Sequence, residues 1–241
     1  MADEKLSFTE HLDELRKRVI RCVIAVVIGF SISYAFSKTI YGFLARPLQN
    51  ALPPGSSLIF TTPTEAFLTY LKTAFFAGIL LSSPVILHQV WGFITPGLYE
   101  KERRYVTPFM IISAFLFLAG AAFGYFFVLP SAFRYLMGFA SSSIRALPSM
   151  KEYFSFASMF LFAFGIIFEL PIFILFLAKL GIVTYPMLCK FHKYAIILCF
   201  FLAAVLTPGP DPFSQIMMAV PLLILFEVSL LLAKVFGKKA K

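Results

Sequence analysis

Phe168-Glu169-Leu170-Pro171 sets a carboxylate inside a run, Tyr153 to Ala178, that is otherwise apolar or small. A helix rises ~1.5 Å per residue, which puts Glu169 roughly 13 Å from the end marked by Ala178 and Lys179. That is about mid-depth in a hydrocarbon layer ~30 Å thick. A carboxylate there costs ~2.5–3.5 kcal/mol on insertion scales, so such groups face a protein interior or a wet cavity. Two readings stand at this point. One is a protonated Glu hydrogen-bonded to a neighbouring helix; the other is a functional polar spot in a membrane cavity.

The surrounding composition settles the class of protein. Of 241 residues, 60% are hydrophobic and 14% charged, with a mean hydropathy of +0.87; soluble domains carry about 25% charged residues. The expectation is an all-α polytopic membrane protein forming a single six-span domain over residues 1–241. The 31 Phe suit lipid-facing and inter-helix packing. Cys22, Cys189 and Cys199 show no paired or metal-ligand spacing and imply no disulfide framework. A cleavable signal peptide is not expected, because Asp3 and Glu4 open a charged segment that lasts to Arg21 with no small-x-small site after it.

Taken in order, residues 7–21 read as a cytoplasmic amphipathic helix. Ser7-Phe8-Thr9-Glu10 has capping-box spacing, and Phe8, Leu12, Leu15 and Val19 repeat on one face. Span 1 follows to about Ser37. Residues 38–64, rich in Pro, Gly, Ser and Thr, read as a long external loop with a short helix at Ile40–Leu44. Span 2 covers about Glu65 to Val90, kinked at Ser82-Ser83-Pro84. A cytoplasmic connection over 91–103 leads to span 3, and residues 130–152 form a second external segment. Span 4 carries Glu169 and bends at Pro171, and 179–193 is a basic cytoplasmic connection. Spans 5 and 6 are short in apolar length: span 5 has about Tyr194 to Leu206 before Thr207-Pro208-Gly209-Pro210-Asp211-Pro212, and span 6 starts at Phe213 and loses its apolar character between Glu227 and Lys234.

Orientation follows from the basic residues. Of 21 Lys and Arg, only Lys38, Arg46, Arg134, Arg145 and Lys151 fall on one side; Lys72 lies within span 2 and the rest lie opposite. The positive-inside rule makes the crowded side cytoplasmic, with both termini there. The formal charge of +9 is then a topology signal with contact to anionic lipid heads, and nucleic acid is not an expected partner.

Groups for catalysis are scarce. There is no nucleotide-cradling G-x-x-x-x-G-K-[ST] loop, no H-E-x-x-H zinc motif and no G-x-S-x-G elbow. His11, His88 and His192 lie far apart in sequence. No enzyme, cofactor or metal is expected. The carboxylates near the cytoplasmic boundary say more: Glu10, Asp13 and Glu14 on the first helix, Glu100 and Glu102 before span 3. Asp13 with Lys17 and Glu14 with Arg18 are i,i+4 pairs able to satisfy each other, and Arg103 and Arg104 can neutralise Glu102. The alternative is an acidic site for a basic peptide, where arginine's planar fork suits bidentate carboxylates better than lysine does. In span 4, Ser155, Ser158, Phe162, Gly165 and Glu169 recur at helical spacing as one mostly small, polar face, which favours helix–helix contact or a cavity wall over lipid. At the last external turn, Gln215 either bonds a foreign helix or caps the turn.

Several stretches resemble one known family. His11-Leu12-Asp13-Glu14-Leu15-Arg16-Lys17-Arg18, the run from Ser83-Pro84 through Trp91-Gly92-Phe93 to Glu102-Arg103-Arg104, Phe168-Glu169-Leu170-Pro171, and Leu206-Thr207-Pro208 with Asp211-Pro212-Phe213-Ser214-Gln215 are similar in order to the motifs of TatC. TatC is the multi-spanning subunit of the twin-arginine protein translocase. His88 departs from the pattern, standing where the family often has Tyr.

The resemblance implies a core receptor that binds twin-arginine signal peptides of folded cargo at the cytoplasmic face of a bacterial inner (plasma) membrane. By motif, Glu14 and Glu102 would contact the paired arginines, with Arg16, Phe93 and Arg103 shaping the site. Glu169 would be the intramembrane polar site, Pro47 part of an external cap, and Thr207, Asp211 and Gln215 the docking place of the single-span partners TatA and TatB. The same resemblance implies a higher-order homo-oligomer with those partners, driven by the proton-motive force. The competing reading from another class is a proton-coupled secondary transporter that uses Glu169 as its carrier. It leaves the paired cytoplasmic carboxylates unexplained, and the chain has no internal repeat.

Overall fold

The computed structural model describes residues 8–53, 56–94, 106–139, 146–206 and 212–237. Six helical stretches in it are long and apolar enough to cross a membrane: Glu10–Ala35, Glu65–Ile94, Val106–Met137, Met150–Leu180, Tyr185–Leu206 and Gln215–Phe236. Among the described residues the extended structure amounts to a single isolated bridge, Ile59 with Ser149. The chain forms two compact units, Met1–Ile40 with Leu71–Phe115, and Tyr41–Tyr70 with Leu116–Lys241. Spans 2 and 3 contribute to both.

In the first unit, α1 runs unbroken over Phe8–Ala35. The separate helix expected at 7–21 and the first span are one element, because neither Gly nor Pro interrupts Arg16 to Ile28 and a run of basic residues does not break a helix. Its Leu12, Leu15 and Val19 face stays exposed on the chain. Helix α3 spans Glu65–Ile94 with Pro84 inside it. Pro84 has no N–H for the Leu80 carbonyl four residues back; the Ser83 hydroxyl donates to that carbonyl instead, at 2.8 Å. Because α3 continues to Ile94, the connection expected at 91–103 loses Trp91 to Ile94 to the last turn of the helix.

Small residues set the crossing of α1 and α3. Ala25, Gly29 and Ser33 recur every fourth residue on α1, as do Ala74, Gly78 and Ser82 on α3, the spacing that lets membrane helices approach closely. A Cβ on Gly29 would lie 2.6 Å from the Gly78 carbonyl oxygen, and one on Gly78 would lie 2.6 Å from the Phe30 nitrogen. The Ser82 hydroxyl donates across the crossing to the Ala25 carbonyl at 2.7 Å.

In the second unit, the long loop expected at 38–64 contains a thirteen-residue helix, α2, Ser37–Gln49. Tyr41, Leu44, Ala45 and Leu48, at i, i+3, i+4 and i+7, are all buried. That amphipathic spacing outweighs Pro47, whose cost is met from outside the helix. Pro47 leaves the Phe43 carbonyl without its intrahelical donor, and the Tyr125 hydroxyl supplies one at 2.6 Å. Tyr153 donates to the next carbonyl, Leu44, at 2.5 Å. Two backbone bonds join the rest of this loop to the segment before span 4, Ile59 N–H to Pro148 O at 3.1 Å and Met150 N–H to Ile59 O at 2.8 Å.

Span 3 is α4 (Val106–Phe123), a π turn at Gly124–Val128, and α5 (Leu129–Met137). The external segment expected from residue 130 therefore begins later. Pro130 sits in the first turn of α5, where its missing N–H costs little. Span 4 is α6 (Met150–Phe168) and α7 (Leu170–Leu180), broken at Glu169 ahead of Pro171. Gly120 and Gly165 bring spans 3 and 4 together: a Cβ on Gly120 would lie 2.8 Å from Phe168 Cβ, and one on Gly165 2.7 Å from the Phe117 ring. Phe123 packs on Phe164 and Phe168 with centroids 5.8 and 5.5 Å apart, so much of the Phe content is inter-helix packing.

Helix α7 stops at Gly181, which is left-handed at φ 78° and donates its N–H to Ala178 O. The next helix, α8, already begins at Tyr185 and runs to Leu206. The basic connection expected at 179–193 thus shrinks to a turn, and Lys190 and Lys193 ride on a helix. Helix α9 covers Pro212–Phe236. At 22 and 25 residues, the last two helices are longer than the apolar stretches that marked their spans. Ile167, Cys199 and Leu222 form their common buried cluster with span 4. The three cysteines are free.

Candidate functional site

Of the expected signal-binding residues, Glu14 and Phe93 make side-chain contacts at one end of the first unit. Glu14 lies in the second turn of α1, and Arg18 one turn further on the same face. Arg18 donates to Glu14 Oε1 from Nε at 2.9 Å and from Nη2 at 2.6 Å. Its third donor, Nη1, reaches the Gln89 carbonyl oxygen on α3 at 3.4 Å. Gly92 makes room for this guanidinium, since a Cβ there would sit 3.1 Å from Arg18 Cζ. Both members of the pair are half-buried, at 19% and 24% side-chain exposure, so water screens it less than a fully exposed pair. The i,i+4 partner weighed for Glu14 is therefore the partner it has. Asp13 and Lys17 form no ion pair among the described residues, and both are exposed.

One turn before Glu14, the His11 ring stacks on Phe93, with centroids 4.4 Å apart and planes at 20°. Behind Phe93, Trp91 is buried and stacks on Phe109 at 5.7 Å. Arg16 is exposed on the far side of the turn. The result is a carboxylate–guanidinium–amide chain beside a flat aromatic stack, with Glu14 Oε1 occupied and its second oxygen bonded to no described residue. Such a cluster recognises planar cations by charge and stacking. Glu102 and Arg103, the other expected members, lie outside the described residues.

The remaining expected positions fall in the second unit. Pro47 is buried in α2 and forms part of a cavity wall with Phe43, Arg46, Asn50, Tyr125, Phe126, Pro130 and Arg134. Glu169 stands at the break between α6 and α7, its N–H on Ile166 O at 3.0 Å and its carbonyl taking the Phe173 N–H at 2.9 Å. Its side chain is half-buried, with Oε1 fully so. The expected small, polar face is not uniform. Ser155 and Phe162 are exposed, whereas Gly165 is buried under Phe117. Gln215 donates to Phe200 O at 3.1 Å, joining the start of α9 to α8 within the chain; Thr207 and Asp211 lie outside the described residues.

The sequence reading passed over Arg18 as a site residue, and with it Gln89, Gly92 and His11. It also passed over Glu65, at the N-terminus of α3. Its Oε1 accepts from the Ser149 hydroxyl at 2.5 Å and the Lys151 N–H at 3.1 Å. Its Oε2 accepts from the Thr61 N–H and hydroxyl at 2.7 and 2.8 Å. A lone Glu opening an apolar helix, four residues after a Thr, was the available signal.

Six helices long and apolar enough to cross a membrane define a polytopic helical membrane protein. Comparison with known proteins narrows that class. Residues 10–221 match the family model described as Sec-independent protein translocase protein (TatC). The chain is 50% identical over 237 residues to the TatC protein of Desulforapulum autotrophicum, covering 98% of this chain and 87% of that one. It is 44% identical over 239 residues to that of Carboxydothermus hydrogenoformans, covering 99% and 97%. It also superposes on a crystal structure of a twin-arginine translocase receptor, TatC, with a TM-score of 0.81 at 40% identity, covering 94% of this chain and 99% of that chain. The chain belongs to the TatC family, components of the Sec-independent protein translocase.

Proposed function

We propose that this chain is the signal-peptide receptor of its translocase. It binds the paired arginines of a folded cargo's signal at the cytoplasmic face of a bacterial inner membrane, with both termini on that side. The cluster of Glu14, Arg18 and Gln89 beside the His11–Phe93 stack carries the reading: it already holds one guanidinium, that of Arg18, by the contacts a signal arginine would use. Glu102 supplies the second carboxylate, and Arg16 and Arg103 shape the approach. The name of the solved relative, a twin-arginine translocase receptor, supports the same role.

Glu169 is the polar landmark of a concave intramembrane groove that steers the apolar part of the signal or a partner helix. Pro47 belongs to the external cap. TatA and TatB dock at Thr207, Asp211 and Gln215, in a higher-order assembly driven by the proton-motive force. The test is peptide binding by the solubilised chain. Glu14→Ala or Glu102→Ala weakens binding of a twin-arginine signal more than binding of its twin-lysine version, and equal loss for both would sink arginine-specific recognition. Photocrosslinkers at positions 14, 93 and 169 label the bound signal; a position 169 that never labels it removes Glu169 from the groove.

A further inference from the structure

Two of the few basic residues on the α2 side of the membrane converge. Arg46, in the last turn of α2, and Arg134, in the last turn of α5, line one cavity of about 240 Å³. Each alone would be explained by its place at a helix C-terminus, where a cation complements the dipole. Dipole compensation does not require both guanidiniums to line the same cavity, and neither forms an ion pair with a carboxylate among the described residues. The Asn50 amide joins them there.

The rest of the wall is apolar and held in place. Phe43 stacks on Tyr125 with centroids 4.6 Å apart and planes at 19°, while the Tyr125 hydroxyl bonds the Phe43 carbonyl freed by Pro47. Arg46 lies over the outer face of Phe43, 5.4 Å from its centroid. The guanidinium therefore sits on a ring that is itself fixed. Phe43 and Phe126 are 45% and 61% exposed. The cavity lies toward the Met137 end of the membrane-crossing stretch Val106–Met137, which at ~1.5 Å per residue is roughly 48 Å long and outruns a hydrocarbon layer ~30 Å thick.

We propose that this cavity binds one anionic phospholipid from the leaflet on the α2 side. Arg46, Arg134 and Asn50 take the phosphodiester, and Phe43 and Phe126 take the glycerol and first acyl carbons. Guanidinium forks match phosphate oxygens, the chemistry by which basic pockets between membrane helices on the cytoplasmic side hold anionic headgroups. A bound lipid would brace α2 against α5 and help hold the segment that contains Pro47. The inference does not depend on how signal peptides are read.

The experiment is native mass spectrometry of the full-length chain released from detergent micelles containing phosphatidylglycerol, phosphatidylcholine or no lipid, with inorganic phosphate as a competitor. One phosphatidylglycerol is retained per chain in preference to phosphatidylcholine. Retention falls about tenfold or more, the loss of two charge-assisted contacts, in Arg46→Gln/Arg134→Gln. It is unchanged in Lys38→Gln/Lys151→Gln, which removes the same charge from the same side outside the cavity. Equal loss in both double variants would reduce the effect to surface charge and overturn the proposal. Equal retention of phosphatidylcholine, or full displacement by millimolar inorganic phosphate, would overturn the lipid as ligand. Should the glutamine pair not fold, Arg46→Lys/Arg134→Lys carries the test: it keeps the charge but loses the forks, so retention falls part-way, and undiminished retention counts against the site.

Discussion

Arg18 donates twice to a single oxygen of Glu14, at 2.9 and 2.6 Å, while its remaining arm reaches Gln89 seventy-one residues along the chain. On the receptor role proposed above, this guanidinium is in the position that an incoming signal arginine would take. Arg18 is then an internal competitor. We predict that Arg18→Gln tightens binding of a twin-arginine peptide by about 1.4- to fivefold, the worth of releasing a partly solvated pair at ~0.2–1 kcal/mol, while Glu14→Gln weakens it. Fluorescence anisotropy with a labelled signal peptide reads both. Weaker binding by Arg18→Gln would mean that the pair props α1 on α3 rather than competing.

The crossing of α1 and α3 gives a second prediction. A methyl on Gly78 would run into the backbone at Phe30, 2.6 Å from its nitrogen, and backbone cannot step aside as a side chain can. Gly78→Ala is expected to cost about 1–3 kcal/mol. Gly42, on α2, has no atom within 4 Å of the same position. There the alanine removes chain entropy from the unfolded state and stabilises by about 0.4–1 kcal/mol. Apparent melting temperatures in one detergent should move in opposite directions, and parallel movement would show that the close approach is not what holds the helices.

These helices also show what could and could not be read from the chain alone. The six spans and the break at Glu169 were legible because burying charge in hydrocarbon is costly, so composition marks depth directly. The Glu14–Arg18 pair was legible because four residues make one turn. The small residues at 25, 29, 33 and 74, 78, 82 were equally visible, but a period of four names no partner helix. Helix α2 was obscured by Pro47. A proline argues against a helix unless a donor arrives from elsewhere, and nothing near residue 47 announces that Tyr125 supplies one. Gln89 meeting Arg18 is likewise a product of the crossing geometry and of the room left at Gly92.

Glu65 gathers four donors, two on each oxygen, from Thr61, Ser149 and Lys151. Only a carboxylate accepts on both sides; an amide would turn its NH₂ toward two donors. Glu65→Gln is therefore expected to loosen the segment around Ser149 as much as Glu65→Ala does. Trypsin cleavage after Lys151 in the folded, solubilised chain measures this. Behaviour of the glutamine variant like the unsubstituted chain would show that charge and polarity pattern at residue 65 do not fix the segment.

The last prediction concerns Tyr125 and Pro47, which do not act independently. Pro47 withholds the N–H that the Phe43 carbonyl would use, and the Tyr125 hydroxyl replaces it at 2.6 Å. Tyr125→Phe leaves a part-buried carbonyl without this donor and should cost about 0.5–1.5 kcal/mol. In Pro47→Ala the helix regains its own donor, so the same change at Tyr125 should cost only a few tenths of a kcal/mol, within the range of an independent site. A double-mutant cycle by equilibrium unfolding in SDS measures the coupling. If the two costs simply add, the hydroxyl is not substituting for the missing amide, and the persistence of α2 through its proline must come from packing of Tyr41, Leu44, Ala45 and Leu48 alone.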